Sequence, residues 1–503
     1  MINVKINEKR RNFMKNKLTR ILALSLVLVM SLAVLTACPD PGPGPGPGPG
    51  PVDEPDDLLG ITDDTIWVGN TAGTTGALST IGAPFNLGIE AAFAAYNKAG
   101  GYNGKSIKLK HYDDGGLAEN STTLLEKLIH EDEVFAIVGH FGSYAVDVTL
   151  EDLIDNEVPM IYAAAGNDEL LNENATTLGE KGIVPIQPLN KTEGRMLLLR
   201  AFAPADKGGL GATKVGVIAN SNEASQSLLS GIKDEMKNLP ADKKNNVVIQ
   251  EVQTSDFSAA VNALKAAGCD TVILTVIGGD FLTTLTTMAG VNYQCNVLTS
   301  YNNASASTFN EDAVLKDQYK SIFTTMNVFA QAWLDISSTS YVYTNTDTAL
   351  GQAYKALYEG MGLPFAGQPG FAESYWKVAE DIYDYALTVN PATAFAMSAD
   401  AYALAGYIAG DLFCQAMEEL EASGKALSRA NLIEILESKE YQIAMADTLS
   451  FANGMRSGVQ SFALTWIYDS YNLPEGATPI HAAASATVHG LMSIEDYRKL
   501  LNE

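Results

Sequence analysis

The chain has 503 residues, of which 47% are hydrophobic and 18% are charged. This composition is typical of a globular protein and excludes a disordered, collagen-like or polytopic membrane protein. The formal net charge of −26 argues against a nucleic-acid partner, because an acidic protein repels the phosphate backbone. At about 150 residues per domain, the length predicts two or three domains.

The first 37 residues predict an export signal. A basic segment at residues 1–20 precedes an uncharged, mostly apolar run at residues 21–37, which is the layout of a secretory signal peptide. The run ends in Leu-Thr-Ala directly before Cys38, which resembles the bacterial lipobox and implies that this cysteine is lipidated. The alternative is a transmembrane anchor, but a run of 17 residues is at the short limit for spanning a bilayer. Met14 is an alternative start to Met1.

Residues 38–60 predict a linker. Proline and glycine alternate over residues 39–51, a pattern that forms neither a helix nor a sheet ladder, and the acidic residues that follow add repulsion. The segment is either a spacer between a membrane and the folded part or a low-complexity tail. The sequence does not separate these two interpretations.

From residue 61 onward, short apolar runs alternate with amphipathic helical patterns. A first series predicts strands at 66–69, 107–112, 134–138 and 159–163, with helices that open at Pro84 and cover 117–130 and 144–156. A second series predicts strands at Val215–Ala219, 247–252, 271–276 and Asn296–Thr299, with helices at 223–236, 257–267 and 281–289. Two such series predict an α/β fold with two doubly wound parallel-sheet lobes. Ligands of these sheets bind at the carboxyl ends of the strands.

Several motifs over residues 62–305 resemble those of periplasmic binding proteins for branched-chain amino acids. They are Thr-Thr-Gly-Ala-Leu at 74–78, Asn-Lys-Ala-Gly-Gly-Tyr-Asn-Gly at 97–104, Asp-Asp at 113–114, Val-Gly-His-Phe-Gly-Ser at 138–143, Thr-Ser-Asp-Phe-Ser-Ala at 254–259 and Leu-Lys-Ala-Ala-Gly-Cys-Asp at 264–270. The resemblance implies a type I periplasmic-binding-protein fold, with two lobes joined by a three-stranded hinge. Such a receptor closes on a small ligand and delivers it to an ABC permease.

The resemblance also implies a domain division. Lobe I is expected at residues 61–188 plus 328–443, and lobe II at 189–325 plus 444–503. The chain would cross between the lobes near residues 185–191, 322–327 and 444–450. We expect a monomer, held at the outer face of the bacterial cytoplasmic membrane by its N-terminal lipid, with ABC permease subunits as partners.

The first expected contact with the ligand is the segment Gly142, Ser143 and Tyr144. Backbone N–H groups at a helix N-terminus, with a hydroxyl beside them, suit the carboxylate of an amino acid or a related small molecule. The alternative for Ser143 is an ordinary helix N-cap.

The second expected contact is the loop with Ala164, Gly166 and Asn167. Related proteins hold the ligand's ammonium group here with a backbone carbonyl and a Thr hydroxyl, and Gly166 stands at the Thr position. One ammonium acceptor is therefore missing. Asn167 or Asp168 replaces it, or both cap the next helix.

The opposite wall of the cleft is expected at Asn222, Glu223 and Ser225. Relatives carry an aromatic residue and a glycine where Ser225 and Gln226 stand, so this wall predicts a more polar ligand than leucine. Glu223 either pairs with a cation or serves the helix dipole. Tyr301 stands where relatives place an acidic ammonium partner, and its ring could instead stack on a ligand.

Two other functions remain as alternatives. An exported hydrolase is disfavoured because the chain has neither a G-x-S-x-G elbow nor an H-E-x-x-H motif. A ligand-sensing receptor for a signalling system shares the same pocket and is left open. No cofactor or metal is expected, since no Cys/His spacing matches a metal site. Cys269 and Cys295 precede two strands and either form a disulfide or remain free thiols.

Overall fold

The structure is a computed structural model that describes residues 59–303, 326–466 and 486–502. The predicted signal peptide, the lipidation site Cys38 and nearly all of the predicted linker lie outside the described residues. Within the described parts of the chain, no helix is both long enough and apolar enough to span a bilayer.

The described residues form strands and helices that alternate through most of the chain. The strands are β1 (Thr65–Ala72), β2 (Ser106–Asp113), β3 (Ala136–Phe141), β4 (Met160–Ala164), β5 (Ile183–Val184), β6 (Val215–Ala219), β7 (Val247–Glu251), β8 (Thr271–Leu274), β9 (Asn296–Thr299), β10 (Asn327–Ala332), β11 (Ser337–Tyr343), β12 (Gln368–Phe371), β13 (Glu440–Gln442), β14 (Thr448–Ser450), β15 (Ser461–Trp466) and β16 (Ala486–Ser493). The helices are α1 (Ser79–Ala99), α2 (Ala118–His130), α3 (Ser143–Asp155), α4 (Leu178–Gly182), α5 (Asn190–Phe202), α6 (Glu223–Glu235), α7 (Ala241–Lys244), α8 (Ser258–Ala267), α9 (Gly279–Gly290), α10 (Ala349–Gly360), α11 (Glu373–Val389), α12 (Ala394–Met397), α13 (Ala401–Ser423), α14 (Arg429–Ser438) and α15 (Ile494–Asn502).

Two sheets carry the architecture. The first has the order β2-β1-β3-β4-β5 and is parallel throughout. The second has the order β16-β15-β10-β9-β8-β6-β7, in which β6 to β10 are parallel, β15 pairs antiparallel with β10, and β16 pairs antiparallel with β15. The predicted fold class of two doubly wound lobes is confirmed. The central strands are apolar and buried because helices cover both faces of each sheet.

The C-terminal half adds helices to the first lobe. Helix α13 packs along α1 at very short range, because both helices carry glycines at the crossing. A Cβ on Gly88 would lie 2.0 Å from the carbonyl oxygen of Ala403, and one on Gly406 would lie 1.8 Å from that of Phe85. Any larger residue would push the two backbones apart.

The pairings refine where the chain passes between the lobes. Strand β10 pairs with β9 in the second sheet, and we therefore propose that the second crossing follows Ala332 rather than lying at residues 322–327. The Val459 N–H donates to the Ile186 carbonyl at 2.8 Å, so we propose a third crossing near Val459 rather than at 444–450. The first crossing and the lobe boundaries stay predictions.

The start of α1 differs from its prediction. The helix begins at Ser79 and contains Pro84, whereas the sequence predicted that the proline opens it. The extra turn packs on the loop after β1, where a Cβ on Gly82 would lie 2.4 Å from the Gly73 carbonyl oxygen. This tertiary contact outweighs the one backbone hydrogen bond that a proline inside a helix removes.

The three cysteines among the described residues are free. Of the two alternatives for Cys269 and Cys295, a disulfide or free thiols, this structure shows the free thiols. Burial raises the pKa of Cys295 to about 12, so the group stays protonated and unreactive near neutral pH.

Candidate functional site

The loops after β3 and β4 meet at the carboxyl edge of the first sheet. Gly142 follows β3, caps α3 and donates its N–H to the carbonyl of Ala164 at 3.2 Å. Its φ of 98° lies in the left-handed region, and a Cβ there would lie 2.3 Å from the ring of Tyr144. Glycine is therefore required at this position by the backbone and by the space. The contact joins two of the three segments predicted to line the cleft.

Ser143 is the first residue of α3, and its side chain is exposed. The cap residue is Gly142, without a side-chain capping bond, so the alternative of Ser143 as an N-cap is wrong. The first N–H groups of any helix lack intrahelical acceptors. The start of α3 thus offers amide donors and an exposed hydroxyl side by side, which suits an anionic group.

Tyr144 lays its ring against Gly142 and directs its hydroxyl to the loop after β2. Its hydroxyl donates to Asp114 Oδ1 at 2.8 Å, and Asp114 also accepts from Ser121 Oγ at 2.8 Å. Burial, followed by the hydrogen bond to Asp114, raises the pKa of the Tyr144 hydroxyl above its ordinary value. Asp114 is itself buried and acts as an acceptor that supports the loop. The neighbouring Asp113 accepts from the backbone N–H of Thr74 at 2.9 Å, so the acidic pair supports loops.

Gly166 is buried, and it stands at the position where relatives carry the threonine. Its carbonyl accepts from the N–H of Asn190 at 3.0 Å, and a Cβ there would lie 2.7 Å from Asn190 Oδ1. The side chain of Asn190 therefore fills the space that a threonine would need. The sequence analysis missed Asn190, which could have been noticed because it opens a helix directly after a proline-marked crossing.

Asn167 and Asp168 connect the second loop to both lobes. The side chain of Asn167 is only 2% exposed; its Nδ2 donates to Asp147 on α3, and its buried Oδ1 has no hydrogen-bond partner. Asn167 makes no side-chain capping bond to the 3₁₀ turn that follows. Asp168 accepts a hydrogen bond from Ser227 of α6, in the second lobe. The two lobes are therefore in contact at the cleft.

The opposite wall differs from its prediction in what each side chain does. Asn222 caps α6, since its Oδ1 accepts from the Ala224 N–H at 3.1 Å. Ser225 is fully buried, and its Oγ lies 2.8 Å from the hydroxyl of Thr275. Its side chain therefore packs in the interior of the second lobe and does not line the cleft. Glu223 is exposed at the start of α6.

Tyr301 is half-buried between the second lobe and the first crossing. Its hydroxyl donates to the Pro188 carbonyl at 3.1 Å, and its N–H donates to Glu193 Oε1 at 2.8 Å. Burial raises the pKa of its hydroxyl above the ordinary value, and the charge of Glu193 adds to this. The hydrogen bond to Pro188 therefore holds the ring of Tyr301 against the first crossing.

Three carboxylates from both lobes converge at the cleft. Asp147, Glu169 and Glu223 each place one oxygen within 4.8 Å of the others, and all three are exposed. Asp147 and Glu169 belong to the first lobe and Glu223 to the second. Burial, followed by the charges of Asp147 and Glu169, raises the pKa of Glu223. Only Glu223 of these three was predicted from the sequence.

Comparison with known proteins adds a family and a set of neighbours. A family profile described as "Periplasmic binding protein" matches residues 65–364. A "Leu/Ile/Val-binding protein homolog 2" from Brucella abortus is 28% identical over 216 residues, which cover 41% of this chain and 53% of that protein. An "Amino acid binding protein" from Pseudomonas aeruginosa is 26% identical over 201 residues, covering 39% and 50%. The chain thus spans about half the length of the curated relatives it matches.

Solved structures resemble the whole fold at low sequence identity. A "Fatty acid ABC transporter substrate-binding protein" from Thermomonospora curvata aligns with a TM-score of 0.57 and 15% identity, covering 88% of this chain and 95% of that one. A branched-chain amino acid ABC transporter protein from Thermus thermophilus, solved with bound valine, aligns with a TM-score of 0.55 and 12% identity, covering 88% and 99%. At these identities the likeness shows the fold.

Proposed function

The chain belongs to the periplasmic binding protein family, and from that premise we propose that it is the extracytoplasmic receptor of an ABC importer, closing its lobes on an amino acid or a related small polar carboxylate. Family membership confirms the resemblance carried by the motifs. The family consists of substrate-binding receptors rather than enzymes. No bond is made or broken in the proposed function, since the ligand's preference for the closed state drives the conformational change.

One observation carries the proposal, and it is the start of α3. The amides that follow Gly142 have no capping side chain, and the hydroxyl of Ser143 beside them is exposed. A carboxylate at this point would accept hydrogen bonds from both and would be favoured by the helix dipole.

The ligand class follows from the same anchor. The relatives and neighbours are described as binding Leu/Ile/Val, valine or fatty acid, and all of these ligands present a carboxylate. The side chain of Asn190 occupies the space beside Gly166, where a Thr would otherwise hold an ammonium group. We therefore expect the carboxylate to contribute more to recognition than the ammonium group does.

Lipidation at Cys38 would hold the receptor at the outer face of the cytoplasmic membrane, next to permease subunits. The proline- and glycine-rich segment after it suits a spacer. We propose that the receptor acts as a monomer, because one chain supplies both walls of the cleft.

The test is a thermal-unfolding screen of the full chain in detergent, stripped of bound ligand by unfolding and refolding. The panel holds amino acids, their deaminated analogues, other small carboxylates and short fatty acids. A ligand at about 1,000 times its Kd adds about 4 kcal/mol of stability and should raise the midpoint by several degrees. No shift with any carboxylate would refute the proposed function.

Site-directed variants test the anchor itself. Ser143→Ala should weaken binding of the best carboxylate about tenfold, the loss of one hydrogen bond to a charged group. The matched control is Ser258→Ala, because Ser258 is also an exposed serine at the first position of a helix. Equal affinity in both variants would refute the placement of the anchor at α3.

A further inference from the structure

Residues 168–173 of the first lobe, the bridging segment, contact two helices of the second lobe. The hydroxyl of Ser227 on α6 donates to Asp168, and Arg195 on α5 donates through Nη1 to Glu173 Oε1 at 3.2 Å. Each contact joins groups that belong to different lobes. Opening of the cleft therefore breaks both contacts unless the bridging segment moves with the second lobe.

The bridging segment is anchored in the first lobe. Leu170 is 1% exposed and packs in the same buried cluster as Val146 and Leu153 of α3. The N–H of Asn172 donates to the Arg456 carbonyl at 2.9 Å, and the Arg456 N–H donates back to the Asn172 carbonyl at 2.7 Å. Because these contacts hold the segment on its own side of the cleft, it stays with the first lobe when the lobes separate.

The partners of the bridging segment stand on one closely packed pair of helices. A Cβ on Gly194 of α5 would lie 2.0 Å from the carbonyl oxygen of Leu228 on α6, so the two helix backbones touch. Ser227 is 6% exposed, and the Oδ2 of Asp234 on α6 lies 4.0 Å from Arg195 Nη2. The second lobe therefore presents a hydroxyl and a guanidinium group together to the bridging segment.

We propose that Ser227 and Arg195 are positioning residues for ligand capture, which act through Asp168 and Glu173 to stabilise the closed arrangement of the lobes. A hydrogen bond to a charged acceptor is stronger than one between neutral groups, so the contact between Ser227 and Asp168 contributes more. The ion pair of Arg195 with Glu173 is partly exposed to solvent and contributes less. This inference rests on the proposed function and names what sets the closing equilibrium of the receptor.

The closing equilibrium converts directly into affinity. Loss of the Ser227 hydroxyl should lower the ratio of closed to open molecules about tenfold, the effect of one hydrogen bond to a charged group. The apparent Kd of a ligand that binds the closed arrangement rises by the factor by which the closed fraction falls. Because the two contacts hold the lobes together after the ligand has entered, the loss should lie mainly in the dissociation rate.

A distance measurement between the lobes tests the equilibrium without any ligand. Spin labels on Glu119→Cys and Ser258→Cys, in the full chain with Cys38→Ser and in detergent, report the lobe separation by pulsed dipolar spectroscopy. Both positions are exposed and lie in the first turns of α2 and α8, which follow the carboxyl ends of β2 and β7. Burial raises the pKa of the three remaining cysteines, which disfavours their labelling.

The expected result is a shift toward longer distances in Ser227→Ala and a smaller shift in Arg195→Gln. The matched control is Ser230→Ala, the same change one turn later on α6 at a half-buried position, and it should leave the distances unchanged. The same distance distribution in Ser227→Ala and in the parent chain would overturn the proposal.

A second measurement separates this inference from the proposed function. The probe is the carboxylate that gives the largest shift in the thermal screen, and stopped-flow mixing gives its association and dissociation rates. In Ser227→Ala its dissociation should be up to about tenfold faster, with little change in association. If a carboxylate binds and dissociates at the same rate from Ser227→Ala and wild type, the positioning role fails and the proposed function stands. If the distances shift but no carboxylate binds, the role in closure stands and the proposed function fails.

Discussion

Glu193 is completely buried at the start of α5, where its carboxyl group accepts hydrogen bonds from Ser300 Oγ at 2.7 Å and from the Tyr301 N–H at 2.8 Å. Burial disfavours the charged form more strongly than these two bonds favour it, and it raises the pKa of Glu193 to about 8. The protonated side chain is therefore the form that suits the folded protein.

The consequence for stability has a definite sign. In the unfolded chain the pKa of Glu193 returns to its ordinary value of 4.5, so between that value and about 8 the folded state binds a proton that the unfolded state has lost. Stability therefore falls as pH rises through this window, by about 1.4 kcal/mol per pH unit where the difference is complete. Between pH 5 and pH 7 the loss from this group is about 2–3 kcal/mol. Glu193→Gln cannot ionise and should lack this component.

The assay is urea unfolding at half-unit steps from pH 5 to pH 8, with the free energy of unfolding of Glu193→Gln subtracted from that of the wild type. The difference should become less favourable to the wild type as pH rises. Glu180→Gln is an informative control, because backbone hydrogen bonds from Thr176 and Thr177 lower the pKa of Glu180 and its contribution is lost only as pH falls below about 5. Parallel profiles of wild type and Glu193→Gln would refute the argument that this carboxyl is protonated at neutral pH.

Three further predictions concern packing, the loop beneath the anchor and acid sensitivity. Gly88→Ala should lower the free energy of unfolding by about 1–3 kcal/mol, because its methyl group meets the backbone of α13; Gly360→Ala, which meets no atom within 4 Å, should be neutral or slightly stabilising in the same urea titration. Asp114→Asn should lower the free energy of unfolding by about 1–3 kcal/mol, because Asp114 accepts hydrogen bonds from both Tyr144 and Ser121. Tyr144→Phe removes only one of these two hydrogen bonds and should lower it by less. Burial lowers the pKa of His140 to about 4, so the unfolded state binds a proton first and stability falls as pH drops from about 6.5 to 4; thermal unfolding of His140→Gln should lack this loss.

Much of the fold could be predicted because its signals are local. Val215–Ala219 and Asn296–Thr299 were predicted with the bounds that the structure shows, since each is a short apolar run between breaking residues. Where tertiary contacts compete with local preference, prediction failed, as at Pro84, which lies inside α1 because the preceding turn packs on the loop after β1.

In the candidate site, too, some features follow from the sequence and others do not. The structure explains why position 142 is a glycine, since its φ of 98° lies in the left-handed region, while its predicted role as a ligand contact stays a prediction. The burial of Ser225 could not be predicted, since a serine in the first turn of a helix can face either a cleft or the protein interior.

The alternating strands and helices and the family follow from the sequence alone, because periodicity and short motifs encode them. Tertiary packing, in contrast, brings Asn190 into the space beside Gly166 and places Asp147, Glu169 and Glu223 close together. These residues are distant in the chain and come from separate elements. Their proximity depends on how two lobes pack and close, and no local pattern of residues encodes that distance.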